Sequence, residues 1–105
     1  MIYVSWNDTC TGVIKSFKDD LTEAAFNGKA RKGFPAQLLK VARRKLAMVN
    51  AATSLDDLRS PPNNRLEALT RERAGQHSIR VNDQFRICFI WTKDGAEQVE
   101  LVDYH

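Results

Sequence analysis

Apolar and basic residues alternate from Val13 to Lys18, a period-two pattern that predicts a short strand. Asp19 or Asp20 then offers an N-cap, and Glu23 lies three residues after Asp20, so a short helix is predicted to about Asn27. Gly28 and Gly33 bracket a basic loop, Lys29 to Lys32. Pro35 suits the first position of a second helix, predicted to run to about Val49. At helical spacing Leu38, Leu39, Val41, Ala42, Leu46, Met48 and Val49 share one broad face, and Lys40, Arg43 and Arg44 occupy the other. Lys45 falls on the apolar side, where its stem would cover hydrocarbon while its ammonium reaches water.

Ser54 to Leu58 reads as one capped turn, and Ser60-Pro61-Pro62-Asn63-Asn64 cannot continue a helix. After it the apolar period changes from 3.6 to 2. Leu66 to Leu69, Ser78 to Val81, Phe85 to Trp91 and Val99 to Val102 are predicted as four strands, with tight connections at Asn82-Asp83 and Asp94-Gly95. Phe85, Ile87, Phe89 and Trp91 point to one side, Cys88 and Ile90 to the other, so this strand is apolar on both faces and central; Arg86 is its polar exception. A strand, two helices and an antiparallel meander make an α+β layout.

At 105 residues the chain suits one compact domain, and 43% hydrophobic with 28% charged residues suffices for one core. The longest nearly apolar run, Ile87 to Trp91, is far short of the about 18 to 20 residues of a membrane span, and residues 1–12 carry no secretory pattern, so a cytoplasmic protein without membrane partner is expected. The formal charge of +3 is unevenly spread. Between Val13 and Asn50 nine Lys or Arg face three acids, whereas residues 51–105 hold seven basic and nine acidic residues. Concentrated basic charge suits a polyanion such as nucleic acid, although the Lys40, Arg43 and Arg44 row is equally the wet side of a helix.

Conventional catalytic motifs are missing: no GxSxG, GxxxxGK[ST], HExxH or GxGxxG occurs. Cys10 and Cys88 form no ligand spacing, and the two histidines, His77 and His105, come with no recognisable metal pattern, so neither a metal nor another cofactor is expected. What remains is Arg71, Arg73, Arg80 and Arg86 on the strand half, with Asp103-Tyr104-His105 at the C-terminus. Such a group fits a phosphodiester. RNA carries its own nucleophile, the 2′-hydroxyl, so cleavage needs positioning, charge neutralisation at the phosphate and a proton donor to the leaving oxygen. Arginine supplies a two-pronged fork for phosphate, and histidine transfers protons near neutral pH. The plain alternative is that Arg86 pairs with Glu67 or Glu100 on a neighbouring strand, that Arg71, Arg73 and Arg80 are solvated strand residues, and that His77 is half-buried structure.

The strings Val13-Ile14-Lys15-Ser16-Phe17, Leu66 to Gly75, Ser78 to Ile87 and the terminal Asp103-Tyr104-His105 together resemble the HigB, or plasmid-maintenance killer, branch of RelE-type toxins. The likeness covers residues 13–105 and leaves 1–12 as an extension, either genuine or the product of an upstream start codon. It implies a RelE-like fold, a mostly antiparallel twisted sheet with two N-terminal helices packed on it. It also implies a type II toxin that cuts messenger RNA on the ribosome without metal and so blocks translation. Carried over by position, Arg86 would contact the scissile phosphate, Arg73 would hold the RNA backbone, and Tyr104 and His105 would orient substrate or transfer a proton. The Lys40, Arg43 and Arg44 face would sit against ribosomal RNA. A HigA-like helix-turn-helix antitoxin would neutralise the toxin and carry the operator DNA binding.

The chain departs from the pattern in one place: the family commonly shows "LKGDR" where Leu69-Thr70-Arg71-Glu72-Arg73 stands, so Thr70 replaces a lysine. Arg71 would supply the missing cation only if the segment is a loop, because adjacent strand residues face opposite ways. A histidine of some relatives is Glu67 here. Two other readings compete: a ParE-like inhibitor of DNA gyrase without nuclease chemistry, which Thr70 favours, and a non-catalytic basic RNA-binding module.

Overall fold

A computed structural model of the chain describes residues 13–103. Two α-helices, α1 (Asp20–Phe26) and α2 (Leu39–Ala51), precede four strands, β1 (Glu67–Ala68), β2 (His77–Arg80), β3 (Phe85–Thr92) and β4 (Gly95–Asp103). The strands form one antiparallel sheet in chain order. The architecture is α+β, with both helices packed on one face of the sheet, consistent with a RelE-like fold.

The predicted N-cap is Asp19, whose Oδ1 accepts the Thr22 amide at 2.7 Å. Thr22 is itself buried, and its hydroxyl accepts the Leu101 amide at 2.9 Å, which ties α1 to β4. The second helix starts later than its predicted Pro35. That proline caps a 3₁₀ turn, Ala36–Leu38, closed by Leu38 N to Pro35 O at 2.9 Å, and α-geometry begins at Leu39. Ala42, Leu46 and Val49 of α2 are completely buried against Ile79, Ile87, Phe89 and Val99.

Three further predictions are corrected. The Val13 to Lys18 segment makes isolated parallel bridges to β4, Ile14 with Ala96 and Phe17 with Val99, rather than a continuous strand. A bulge in β4 is the reason: the register with β3 shifts between Cys88 and Ile90, Gln98 adopts φ 56°, and its amide turns to Ser16 Oγ at 2.9 Å. Second, β4 starts at Gly95, four residues before Val99, and the hairpin loop is Lys93-Asp94. Gly95 has φ 135°, and a Cβ there would collide with the carbonyl of Val13. Third, Lys45 does not reach water: it is 6% exposed, and its Nζ donates to Asn64 Oδ1 at 2.6 Å. Burial, with Arg44 and Arg80 nearby, lowers its pKa below 10.5.

Candidate functional site

Strand alternation gives the sheet two chemically different faces. Ile79, Ile87 and Phe89 turn toward the helices. Residues directly opposite one another in an antiparallel ladder share a face, so the register Glu67–Ser78, Ser78–Cys88 and Cys88–Glu100 defines one polar row across all four strands on the other side. Arg86, two residues from Cys88, joins that face, where it stands opposite Arg80 on β2 and Val102 on β4.

Arg86 is the most tightly held cation of the group. Its side chain is 11% exposed, Nε donates to Ser78 Oγ at 2.7 Å, and Nη2 donates to the Arg65 carbonyl at 2.6 Å and to the Ser78 carbonyl at 3.4 Å. Glu67 Oε1 lies 3.4 Å from Nη2. The simple pairing with Glu67 therefore exists, whereas Glu100 goes to other partners. The like charges of Arg80 and Arg86 are kept compatible by separate counterions, since Arg80 turns to Asp83. The Arg65 carbonyl owes its position to a left-handed backbone, φ 46°, at the residue that closes the Pro62–Asn64 turn.

Arg71 and Arg73 are not the solvated strand residues of the plain alternative. They belong to a 3₁₀ turn, Arg71–Arg73, in which Arg71 adopts φ 58°. The loop condition for Arg71 is thereby met, and Thr70 to Arg73 line a cleft of about 470 Å³. From this turn Arg73 reaches across the sheet face, with Nη1 3.0 Å from Glu100 Oε2 and 3.1 Å from Gln76 Oε1. Lys18 Nζ approaches the same Glu100 oxygen at 3.5 Å. Cys88 lies beneath this cluster with no exposed surface, and burial raises its thiol pKa above 9.0 although Arg73, Arg86 and Lys18 oppose the shift.

The predicted residues do not all come together. Arg86 and Arg73 share the polar face, with Arg71 in the adjoining turn. Lys40, Arg43 and Arg44 lie on the exposed side of α2, across the helix layer, where with Gly28, Ala36, Gln37 and Leu39 they line a groove of about 520 Å³. His77 pairs in register with Phe89 on the helix-facing side, and its buried Nδ1 has no hydrogen-bond partner among the described residues. Tyr104 and His105 lie outside the described residues. No group of three or more His, Cys, Asp or Glu among the described residues is placed to hold a metal ion. Ser78 and the Arg65 carbonyl escaped sequence reasoning, because a serine in a strand and a backbone oxygen carry no pattern until register and turn are known.

A sheet backed by two helices is the fold that the resemblance to RelE-type toxins implies. Residues 15–105 match the family described as RelE-like toxin of type II toxin-antitoxin system HigB. The chain belongs to this family. It is 38% identical over 90 residues to Toxin HigB-1 of Vibrio cholerae, covering 85% of this chain and 94% of that protein. It is also 40% identical over 86 residues to an uncharacterised protein of Haemophilus influenzae, covering 81% of this chain and 85% of the relative. The protein is thus the toxin of a type II toxin–antitoxin system, a class that has an antitoxin partner. No helix among the described residues is long and apolar enough to cross a membrane.

Proposed function

We propose that this HigB-family toxin is a ribosome-dependent, metal-independent endoribonuclease that cuts messenger RNA and stops translation in the cytoplasm. The observation that carries the reading is the Arg86 guanidinium, fixed by Ser78, the Arg65 carbonyl and Glu67 on a face with Lys18, Arg73 and Arg80. A fork held in one orientation neutralises charge that develops on a phosphoryl group without reorganising at the moment of reaction. In the proposed step the RNA 2′-oxygen loses its proton and attacks the adjacent phosphorus. The bond to the 5′-oxygen breaks, and that oxygen takes up a proton. Arg86 neutralises the phosphate, Arg73 and Arg71 hold the backbone on either side, and Tyr104 and His105 orient the substrate and move the proton. Lys40, Arg43 and Arg44 contact ribosomal RNA, and a HigA-like helix-turn-helix antitoxin neutralises the toxin and binds the operator.

The test is to induce the chain in a bacterium lacking antitoxin and to map messenger RNA 5′ ends with and without translation. New cuts inside translated codons, lost when translation is blocked, are the expected result. Arg86→Ala is expected to abolish the cuts and the growth arrest while still binding antitoxin. Its stability should fall by about 1–3 kcal/mol, because Ser78 and the Arg65 carbonyl lose their donor. Full toxicity of a folded Arg86→Ala protein overturns the role of Arg86. Growth arrest without cuts would move the reading to gyrase inhibition, and no arrest to a plain RNA-binding module.

A further inference from the structure

The Arg86 clamp depends on a backbone carbonyl, and that carbonyl is itself held from the other side of the sheet edge. Asn64, the residue before Arg65, is completely buried. Its Oδ1 accepts from Lys45 Nζ at 2.6 Å, and its Nδ2 donates to the carbonyls of Leu58 at 3.2 Å and Ser60 at 3.3 Å. One amide thus ties together the helix α2, the end of the Leu55–Arg59 turn and the Pro62–Asn64 turn. The next residue turns left-handed and directs its carbonyl to Arg86 Nη2 at 2.6 Å. A buried lysine is an unusual constituent of a core.

We infer that Lys45 and Asn64 are positioning residues, which set the direction of the Arg86 guanidinium through the Arg65 carbonyl. The kinetic consequence rests on the ribonuclease reading above, since only there does a displaced fork slow a reaction. The spatial consequence does not. Without the Lys45–Asn64 bond the turn that presents the carbonyl keeps only the weak contact of Asn64 Nδ2 with Met48 Sδ, 3.8 Å, to the helix, and a displacement of about 1 Å at a group that holds the reacting phosphate is enough to cost orders of magnitude in rate.

The experiment compares the full-length wild-type chain with the double variant Lys45→Met/Asn64→Leu, which removes both polar groups at near-constant volume. Asn64→Asp is the second variant, because it keeps an acceptor for Lys45 but loses the amide donors. Near-ultraviolet circular dichroism checks folding. Single-turnover cleavage on programmed ribosomes is expected to show the maximal rate constant reduced about tenfold or more at unchanged ribosome affinity. Independently of activity, the Arg86 Nη protons, assigned by their loss in Arg86→Lys, are expected to be resolved by NMR in the wild type. In the variants they should average as rotation about the guanidinium bonds speeds up. A wild-type rate in a folded variant, or a slower rate with an unchanged Arg86 spectrum, overturns the inference. Failure of the wild type to cleave RNA overturns the ribonuclease reading instead; the Arg86 spectrum then decides the positioning role alone, supported by averaging in the variants and overturned by its absence.

Discussion

Cys88 shows how one position is shaped by its row. It sits between Ser78 and Glu100 in the ladder, under the Arg73 and Lys18 contacts, with no surface open to water. Burial disfavours the thiolate and outweighs the neighbouring cations, so the folded thiol titrates above its ordinary 9.0. Because the folded value is raised, the neutral thiol's contribution to stability is complete below pH 9.0 and is lost as the pH rises from there through the folded value. In a Cys10→Ser background Cys88 should resist alkylation at pH 8 in native buffer and react fully in denaturant. Rapid labelling of the native protein would refute its burial. Arg86 is the contrasting residue, a guanidinium aimed by neutral and anionic acceptors.

At the scale of elements, the join between residues 13–18 and β4 is the most sensitive to a single atom. Lys15 and Lys18 amides donate to Ala96 and Val99, and the Ala96 and Val99 amides return bonds to Val13 and Ser16. Gly95 permits this approach because the Val13 carbonyl occupies the space of a side chain. Gly95→Ala should therefore cost about 2 kcal/mol or more in urea unfolding, from positive-φ strain and collision together, far more than an exposed Gly→Ala change. A variant as stable as the wild type would show that the segment pairs otherwise. The strand at 67–68, the 3₁₀ turn at 71–73 and the left-handed Arg65 do for the other sheet edge what the bulge at Gln98 does for β4. Each interrupts regular pairing where a side chain or carbonyl must be turned.

Two basic groups stand on opposite sides of the core. Arg73, Arg80 and Arg86 are compensated by Glu100, Asp83 and Glu67 on the sheet face, whereas Lys40, Arg43 and Arg44 on the helix layer make no ion pair among the described residues. Uncompensated cations dominate the salt dependence of nucleic-acid binding. Replacing all three by alanine should flatten the slope of log K against log salt for ribosome binding by about 2 to 3, at about 0.7 to 0.9 per lost phosphate contact. The thermal midpoint should stay near the wild-type value, since these side chains are exposed. An unchanged slope would remove the helix face from the proposed ribosome contact.

The hydrophobic period by itself determined the α+β class, the amphipathic second helix, the central β3 and the face that Phe85, Ile87 and Phe89 share, because burial imposes a repeat on every residue of an element. The strings Val13 to Phe17, Leu66 to Gly75, Ser78 to Ile87 and Asp103-Tyr104-His105, taken together, pointed to the toxin family. Tertiary structure alone decided the parallel bridges of residues 13–18, the loop character of Arg71 and Arg73, the burial of Lys45 on Asn64 and the carbonyl that holds Arg86. These depend on bulge, register and left-handed backbone, where a residue's role is set by a partner distant along the chain, and no local period records such a partner.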